Sequence, residues 1–207
     1  IPDDFMFSLT LDRPTKSWMS QYYESGNKVI LEYGTGGSTL LALESSPKNI
    51  VYACETDSTW LAKLMLYASE NKLQSRLFPV HIDIGQTGDW GVPVFDGSVF
   101  SGKRMQSFLN ATIFPWRLLK SHEVSPDFVF IDGRWRKACF LSALLYCQSP
   151  MLVLWDDYAD RPQYHVFDEI ILPVEMIGRS ALYEVKPKSY DALEVIDKYL
   201  SVFGDWG

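Results

Sequence analysis

Residues 28–39 read KVILEYGTGGST, and this stretch decides the fold class. Its first six residues form a short apolar run of the kind that a parallel sheet buries on both faces. The glycine-rich part that follows ends the strand and predicts a tight turn that a ligand can approach closely. An apolar run of helical character begins at Leu40. Strand, glycine turn and helix together predict the first β–α unit of an α/β protein.

Further runs of strand length alternate with segments of helical period along the rest of the chain. The other predicted strands are residues 49–55, 77–83, 127–132 and 151–157. The predicted helices are residues 57–71, 105–120, 137–147 and 163–171. Because β–α–β crossovers are right-handed, such units give a parallel sheet with helices on both faces. Residues 174–185 then predict two strands joined by a turn at Gly178, which indicates an antiparallel edge.

The length of 207 residues is that of one compact domain. We divide it into a helical lead-in (1–27), the core sheet and helices (28–187) and a C-terminal helix (188–207). The formal net charge of -7 argues against a nucleic-acid partner, since phosphate binding needs a basic face. There is no apolar run long enough to span a membrane and no pattern of a secretory signal. With three unpaired cysteines, these features predict a cytoplasmic protein.

Each of the five predicted parallel strands delivers a carboxylate near its carboxyl end. These residues are Glu32, Glu55, Asp83, Asp132 and the pair Asp156-Asp157. Ligands of open α/β sheets bind at this edge of the sheet. Helix capping accounts for any single one of these residues as well as a ligand does. The whole set predicts a shared, carboxylate-lined cleft.

Glu55 and the glycine turn together indicate a nucleoside site. Glu55 follows Gly36 at about the 20-residue spacing at which an acidic side chain accepts the hydroxyls of a ribose. Thr39 stands where a dinucleotide fingerprint has its third glycine, which disfavours a pyrophosphate. A glycine turn with an unrelated acidic residue is the alternative interpretation.

The segments ILEYGTGGST, VYACETD, HIDIG, FVFIDGRWR and VLWDDY, in this order, resemble the class I S-adenosylmethionine-dependent methyltransferases over residues 28–187. The resemblance implies a Rossmann-like, doubly wound, seven-stranded sheet, mostly parallel, with an antiparallel last strand. It also implies S-adenosyl-L-methionine as cofactor, with Glu32 and the glycine turn at its methionine part, Glu55 at its ribose and Asp83 with Ile84 at its adenine. Ser38 stands where the family has its usual third glycine. The cofactor-binding residues that it implies are Glu32, Gly34, Thr35, Gly36, Ser38, Glu55, Asp83, Ile84 and Asp132.

The residues after the fourth strand bear on the methyl acceptor. The family's amino-group methyltransferases carry an Asn/Asp-Pro-Pro-aromatic motif there, whereas this chain has Ile131-Asp132-Gly133-Arg134. That difference favours a small-molecule acceptor methylated on oxygen. In the family's metal-dependent branch, Asp132, Asp156 and Asp157 would hold a divalent cation such as Mg²⁺ and act as catalytic residues. Trp135 occupies the position of that branch's lysine base.

Two arrangements of these three aspartates remain open at this point. Either a divalent cation relieves their mutual repulsion, or Arg134 or Arg136 folds back and neutralises them. Arg134, Arg136 and Arg161 are also candidates for pairing with an acidic acceptor.

Two other functions fit the same residues. One is aminopropyl transfer to a polyamine, which an acidic cleft would attract. The other is a protein that binds the nucleoside and transfers nothing. Trp90, Trp135 and Trp155 stand near strand ends, where they either wall a ligand pocket or pack in the core.

Overall fold

The computed structural model describes residues 7–95, 101–187 and 192–207. Its helices are α1 (Arg13–Glu24), α2 (Gly37–Ser45), α3 (Ser58–Glu70), α4 (Gly102–Ser121), α5 (Arg136–Tyr146) and α6 (Ala192–Tyr199). Its strands are β1 (Val29–Tyr33), β2 (Ile50–Glu55), β3 (Leu77–His81), β4 (Phe128–Ile131), β5 (Met151–Trp155), β6 (Glu175–Ile177) and β7 (Ser180–Val185). Among the described residues, no helix is both long and apolar enough to cross a bilayer.

The strands form one seven-stranded sheet in the order β3-β2-β1-β4-β5-β7-β6. The first five strands in this order pair in parallel, while β7 is antiparallel to both β5 and β6. The predicted doubly wound, mostly parallel sheet is confirmed, as are the antiparallel last strand and the turn at Gly178. Between β1 and β4 the strand order reverses, so this is where a ligand crevice is expected.

Helices cover both faces of the sheet because each strand is apolar on both sides. On β1, Ile30 packs into the cluster formed with α1, α2 and α3. Its neighbour Leu31 points the other way, into the cluster formed with α4, α5 and α6. Successive side chains of a strand alternate between faces, so one short run contributes to two cores.

Several element ends differ from the predictions. Helix α2 begins at Gly37 rather than Leu40, because the Thr39 hydroxyl accepts the backbone N–H of Gly36 at 3.0 Å and caps the helix inside the glycine turn. Strand β3 ends at His81, two residues short of Asp83. Pro162–Phe167 forms a 3₁₀ helix rather than an α-helix. After α6 the chain continues as a 3₁₀ helix over Leu200–Gly204.

The long connection between β3 and β4 contains the helix predicted within residues 105–120, and α4 extends it at both ends. Parts of three predicted segments lie outside the described residues. They are residues 1–6 of the lead-in, 96–100 of this connection and 188–191 before the C-terminal helix.

Candidate active site

A cavity of about 530 Å³ opens at the carboxyl ends of β1, β2 and β4. This is the switch point of the sheet, as the strand order requires. Most of its walls come from five segments, which are residues 8–11 before α1, 33–38 of the glycine turn, 54–57 after β2, 89–91 of the β3–α4 connection and 132–135 after β4. Four single residues complete the lining, namely Trp60, Ile82, Ala111 and Cys139. Of the predicted cofactor residues, the lining contains Gly34, Thr35, Gly36, Ser38, Glu55 and Asp132.

The glycine turn brings the ends of β1 and β4 into backbone contact. Gly34 has a φ of +88°, and a Cβ at this position would lie 2.7 Å from the backbone nitrogen of Gly133. A side chain is therefore excluded here by both conformation and space. Gly36 differs, because a Cβ there would lie 3.6 Å from the Trp60 ring, an ordinary contact. Gly34 is thus required by both space and conformation, whereas Gly36, with a φ of +157°, is favoured by its conformation alone and leaves open space at the cavity wall.

Glu32 lies beneath the glycine turn and is fully buried. Its carboxyl accepts hydrogen bonds from the hydroxyls of Ser38 and Thr39, the latter at 2.6 Å. Burial raises the pKa of Glu32 to about 8, although these two hydrogen bonds oppose the shift. Glu32 does not line the cavity. Its hydrogen bonds instead hold the first turn of α2 in position.

Glu55 ends β2 and lines the cavity with both carboxylate oxygens engaged. Oε1 accepts the backbone N–H groups of Thr56 at 2.7 Å and Asp57 at 3.0 Å. Oε2 accepts the backbone N–H and the hydroxyl of Thr35, each at 3.3 Å. The Oε1 bonds are short and fix the side chain, whereas the Oε2 bonds are long. Oε2 is therefore the oxygen that a ligand hydroxyl can engage most readily.

The segment before α1 packs over the glycine turn. The Phe7 ring lies edge-on to Trp60 with centroids 5.0 Å apart, and Trp60 Nε1 donates to the Thr35 carbonyl at 2.7 Å. A Cβ on Gly37 would lie 2.7 Å from the Phe7 carbonyl oxygen. Residues 8–11 continue along the cavity wall. This contribution was not predicted, because the contact is between distant parts of the chain.

The three aspartates after β4 and β5 lie together, as predicted. One carboxylate oxygen from each of Asp132, Asp156 and Asp157 lies within 4.8 Å of the others. Arg136 lies between them, donating to Asp132 Oδ1 at 2.9 Å and to Asp157 Oδ2 at 3.0 Å. Arg161 donates to the same Asp157 oxygen at 2.9 Å. Of the two arrangements left open by the sequence, this is neutralisation by arginine.

Arg179 completes the neutralisation from the turn between β6 and β7. It contacts Asp156 at 2.6 Å and Asp157 at 3.0 Å. Ser180 donates to Asp156 Oδ1 at 2.7 Å and shares a hydrogen bond with the buried Thr15 hydroxyl at 3.0 Å. Burial alone would raise the pKa of Asp156, but the hydrogen bonds from Arg179 and Ser180 lower it.

The expected metal site at these aspartates is therefore corrected. Three guanidinium groups, from Arg136, Arg161 and Arg179, already pair with these carboxylates, and they repel a further positive charge. Asp132, Asp156 and Asp157 do not fit a divalent cation in this arrangement. Of the three aspartates predicted to be catalytic, Asp132 lines the cavity, whereas Asp156 and Asp157 do not.

Asp132 keeps an environment suited to proton transfer. Burial raises its pKa to about 7, against the opposing effect of Arg136. Its side chain is still 26% exposed and faces the cavity. A carboxyl group with a pKa near neutrality can exchange a proton with a bound ligand.

Other predicted site residues lie elsewhere. Asp83 is exposed and accepts the Gly85 backbone N–H at 2.9 Å, and Ile84 is buried in the core, while Ile82 lines the cavity. Asp83 is thus exposed between two buried neighbours, Ile82 and Ile84. Trp90 and Trp135 line the cavity, whereas Trp155 is fully buried in the core.

Comparison with known proteins was made by family, sequence and structure. No protein-family model matches the chain, and no curated protein matches it in sequence. The crystal structure of a methyltransferase-like protein from Silicibacter pomeroyi is 30% identical, with a TM-score of 0.83, covering 96% of this chain and 98% of that one.

Two more distant structures share the fold. A putative caffeoyl-CoA O-methyltransferase from Staphylococcus aureus is 18% identical, with a TM-score of 0.50, covering 79% of this chain and 65% of that one. An O-methyltransferase from Streptomyces achromogenes involved in tomaymycin synthesis, solved with S-adenosylmethionine, is 16% identical, with a TM-score of 0.51, covering 78% of this chain and 62% of that one.

Proposed function

Because the chain belongs to the class I S-adenosylmethionine-dependent methyltransferases, we propose that it transfers a methyl group from S-adenosylmethionine to an oxygen atom of a small molecule. The observation that carries the proposal is the position of Asp132. It places a carboxyl group with a pKa near 7 in the wall of the cavity beside the glycine turn.

The cavity fits a nucleoside-containing methyl donor. Its volume of about 530 Å³ lies in the range of small-molecule sites, about 300–1,000 Å³. Glu55 Oε2 has only long hydrogen bonds to Thr35, which the hydroxyls of a ribose would replace. Gly36 has no Cβ to fill the wall opposite Trp60. We assign donor binding to Gly34, Thr35, Gly36, Ser38, Glu55 and Ile82, with Asp132 beside them.

When bound, S-adenosylmethionine supplies an electrophilic methyl group on a positively charged sulfur. The protein's own contribution is to hold the donor and acceptor in line and to remove water between them. Asp132 Oδ2 would take the proton of the acceptor hydroxyl as that oxygen becomes bonded to the methyl group, while Arg136 holds Oδ1. Phe7, Trp60 and residues 8–11 shield one side of the cavity from solvent.

Aminopropyl transfer has less support. A polyamine is a polycation, and its binding needs carboxylates that are free of cationic partners. The aspartates that would supply that charge are already paired with Arg136, Arg161 and Arg179. A protein that binds the nucleoside without transferring anything stays as the second candidate, because the lysine base of the metal-dependent branch is replaced by Trp135.

The proposal extends to the setting of the reaction. All three cysteines are buried free thiols, as expected of a reducing cytoplasm. The net charge of -7 agrees with a small-molecule acceptor rather than a nucleic acid.

The experiment has two steps. Isothermal titration of the purified protein with S-adenosylmethionine, S-adenosylhomocysteine and decarboxylated S-adenosylmethionine tests the donor site. We expect the first two to bind, and tighter binding of the third would favour aminopropyl transfer instead. The second step follows labelled methyl groups from S-adenosylmethionine into a small-molecule extract, with the Asp132→Asn variant as control. Donor binding without any labelled product would favour the binding protein.

A further inference from the structure

Arg134 differs from the arginines that pair with Asp132, Asp156 and Asp157, because it lines the cavity itself. Its Nε donates to the Trp90 carbonyl at 2.9 Å, which fixes the guanidinium in the cavity wall. Within residues 7–95, 101–187 and 192–207, no carboxylate forms an ion pair with it, and Asp89, which also lines the cavity, is no exception. Arg136, Arg161 and Arg179 in contrast each contact an aspartate.

Guanidinium groups therefore outnumber the aspartates that follow β4 and β5. Four guanidinium groups, from Arg134 and the three paired arginines, face three carboxylates, and one of these, Asp132, has a pKa of about 7. Burial lowers the pKa of Arg134, and the neighbouring Arg136 lowers it further, while Asp132 opposes the shift. A partly buried cation with cationic neighbours is a position that an anion would stabilise.

We infer that Arg134 binds an oxyanion of the methyl acceptor, so that the substrate is a small hydroxylated acid carrying a carboxylate or a phosphate. The inference rests on the proposed function. A planar guanidinium held at Nε presents its two terminal nitrogens as a fork, which suits two-point binding of either group.

The position of Arg134 favours the acceptor over the donor. The residues assigned to the donor lie on the β1–β2 side of the cavity, whereas Arg134 follows the proposed base Asp132 by two positions on the β4 side. An anion held there would bring a hydroxyl of the same molecule to Asp132. Trp90 adds an aromatic surface beside it, because its side chain is 81% exposed at the cavity wall.

The test measures binding of simple anions to the protein saturated with S-adenosylhomocysteine. Benzoate and inorganic phosphate are the probes, since they carry the two candidate groups, and benzamide is the neutral analogue of benzoate. The variants are Arg134→Gln and Arg134→Lys, with Arg117→Gln on the exposed face of α4 as matched control. Circular dichroism and thermal melting establish that each variant is folded.

We expect benzoate or phosphate to bind the wild-type complex and benzamide not to bind. Arg134→Gln should weaken the anion by about tenfold or more, Arg134→Lys by less, and Arg117→Gln not at all. Equal anion binding by wild type and Arg134→Gln, or no anion binding by wild type, overturns the inference. Loss of S-adenosylhomocysteine binding in Arg134→Gln would also overturn it, because Arg134 would then hold the donor's carboxylate. Failure of the wild type to bind S-adenosylhomocysteine would instead refute the proposed function.

Discussion

Arg136 Nη1 donates a hydrogen bond to Asp157 Oδ2 at 3.0 Å. This contact joins the first turn of α5 to the residues that follow β5. The same guanidinium also donates hydrogen bonds to the carbonyl oxygens of Asp132, Gly133 and Asp156 at 2.8–3.0 Å. The side chain is 11% exposed. One arginine thereby satisfies the polar groups at the ends of two neighbouring strands.

Replacing Arg136 by methionine should destabilise the protein strongly. The change leaves partly buried carboxylates and carbonyl groups without a donor, and breaking such a buried pair costs about 3–5 kcal/mol. Arg161→Met is the matched comparison, since Arg161 contacts the same Asp157 oxygen but is 35% exposed, and it should cost about 1 kcal/mol or less. Urea denaturation of the three proteins measures both values. Similar losses of unfolding free energy in the two variants would contradict the larger contribution that we assign to Arg136.

Gly36→Val should abolish donor binding, and because Gly36 has a φ of +157°, which side chains rarely adopt, it should also lower the free energy of unfolding. The valine side chain would enter the cavity beside Trp60, where a Cβ meets only an ordinary contact at 3.6 Å. Gly34→Ala provides the contrast, because its Cβ would lie 2.7 Å from the backbone of Gly133 and the variant should fail to fold stably. Titration calorimetry and thermal melting separate the two effects. Normal donor binding by Gly36→Val would mean that the glycine turn has only a structural role.

Glu55→Ala should weaken donor binding by about 1.5–3 kcal/mol, the range for hydrogen bonds to a charged group. The ribose hydroxyls would lose Oε2, and the turn at Thr56 and Asp57 would lose the acceptor at Oε1. Glu70→Ala, on the exposed side of α3, is the control for loss of one negative charge. Titration of both variants with S-adenosylhomocysteine is the measurement. Unchanged affinity in a folded Glu55→Ala protein would remove the ribose assignment.

The sequence predicted the fold and the part of the cavity wall formed by the glycine turn and Glu55 because both depend on local signals. Apolar strands, the glycine turn and Glu55 lie within one β–α–β unit, and their spacing is visible along the chain. The arginine network was predicted only in part. Arg136 was named as a candidate because it is close in sequence to Asp132.

Arg179 and Ser180 were missed, since they reach Asp156 from more than 20 residues away. Their placement follows from the register of β7, in which Ala181 lies opposite Trp155 and so brings Ser180 beside Asp156. No pattern in the sequence fixes that register. The contribution of residues 8–11 to the cavity wall was missed because it also depends on a contact between distant parts of the chain.

Methyl transfer should depend on an ionised Asp132. Burial raises the pKa of this group to about 7, so the rate should rise with pH up to about 7 and then level off. Asp132→Asn should lower the rate by about 10²–10⁴-fold and remove this rise. Asp83→Asn is the control, since the exposed Asp83 lies away from the cavity lining. The measurement is the rate of labelled methyl transfer from pH 5 to 9.

A chelator distinguishes Asp132 from metal-bound water, which can also titrate near pH 7. Because arginines neutralise the aspartates, we expect the wild-type profile to be unchanged by the chelator. Loss of activity in the presence of the chelator would contradict this expectation and support a metal site at the three aspartates.

Glu32→Gln should change how stability depends on pH. The folded-state pKa of Glu32 is raised from its ordinary value of 4.5 to about 8, so the folded protein binds this proton more tightly than the unfolded chain. That contribution is fully present below pH 4.5 and is lost as pH rises through about 8. Glutamine is neutral throughout, and its amide can still hydrogen bond to the hydroxyls of Ser38 and Thr39. The stability of the variant relative to wild type should therefore increase steadily from about pH 5 to pH 8 and then level off.

Urea denaturation of both proteins at several pH values measures this difference. A difference that stays constant from pH 5 to 9 would show that Glu32 is ionised in the folded protein at neutral pH.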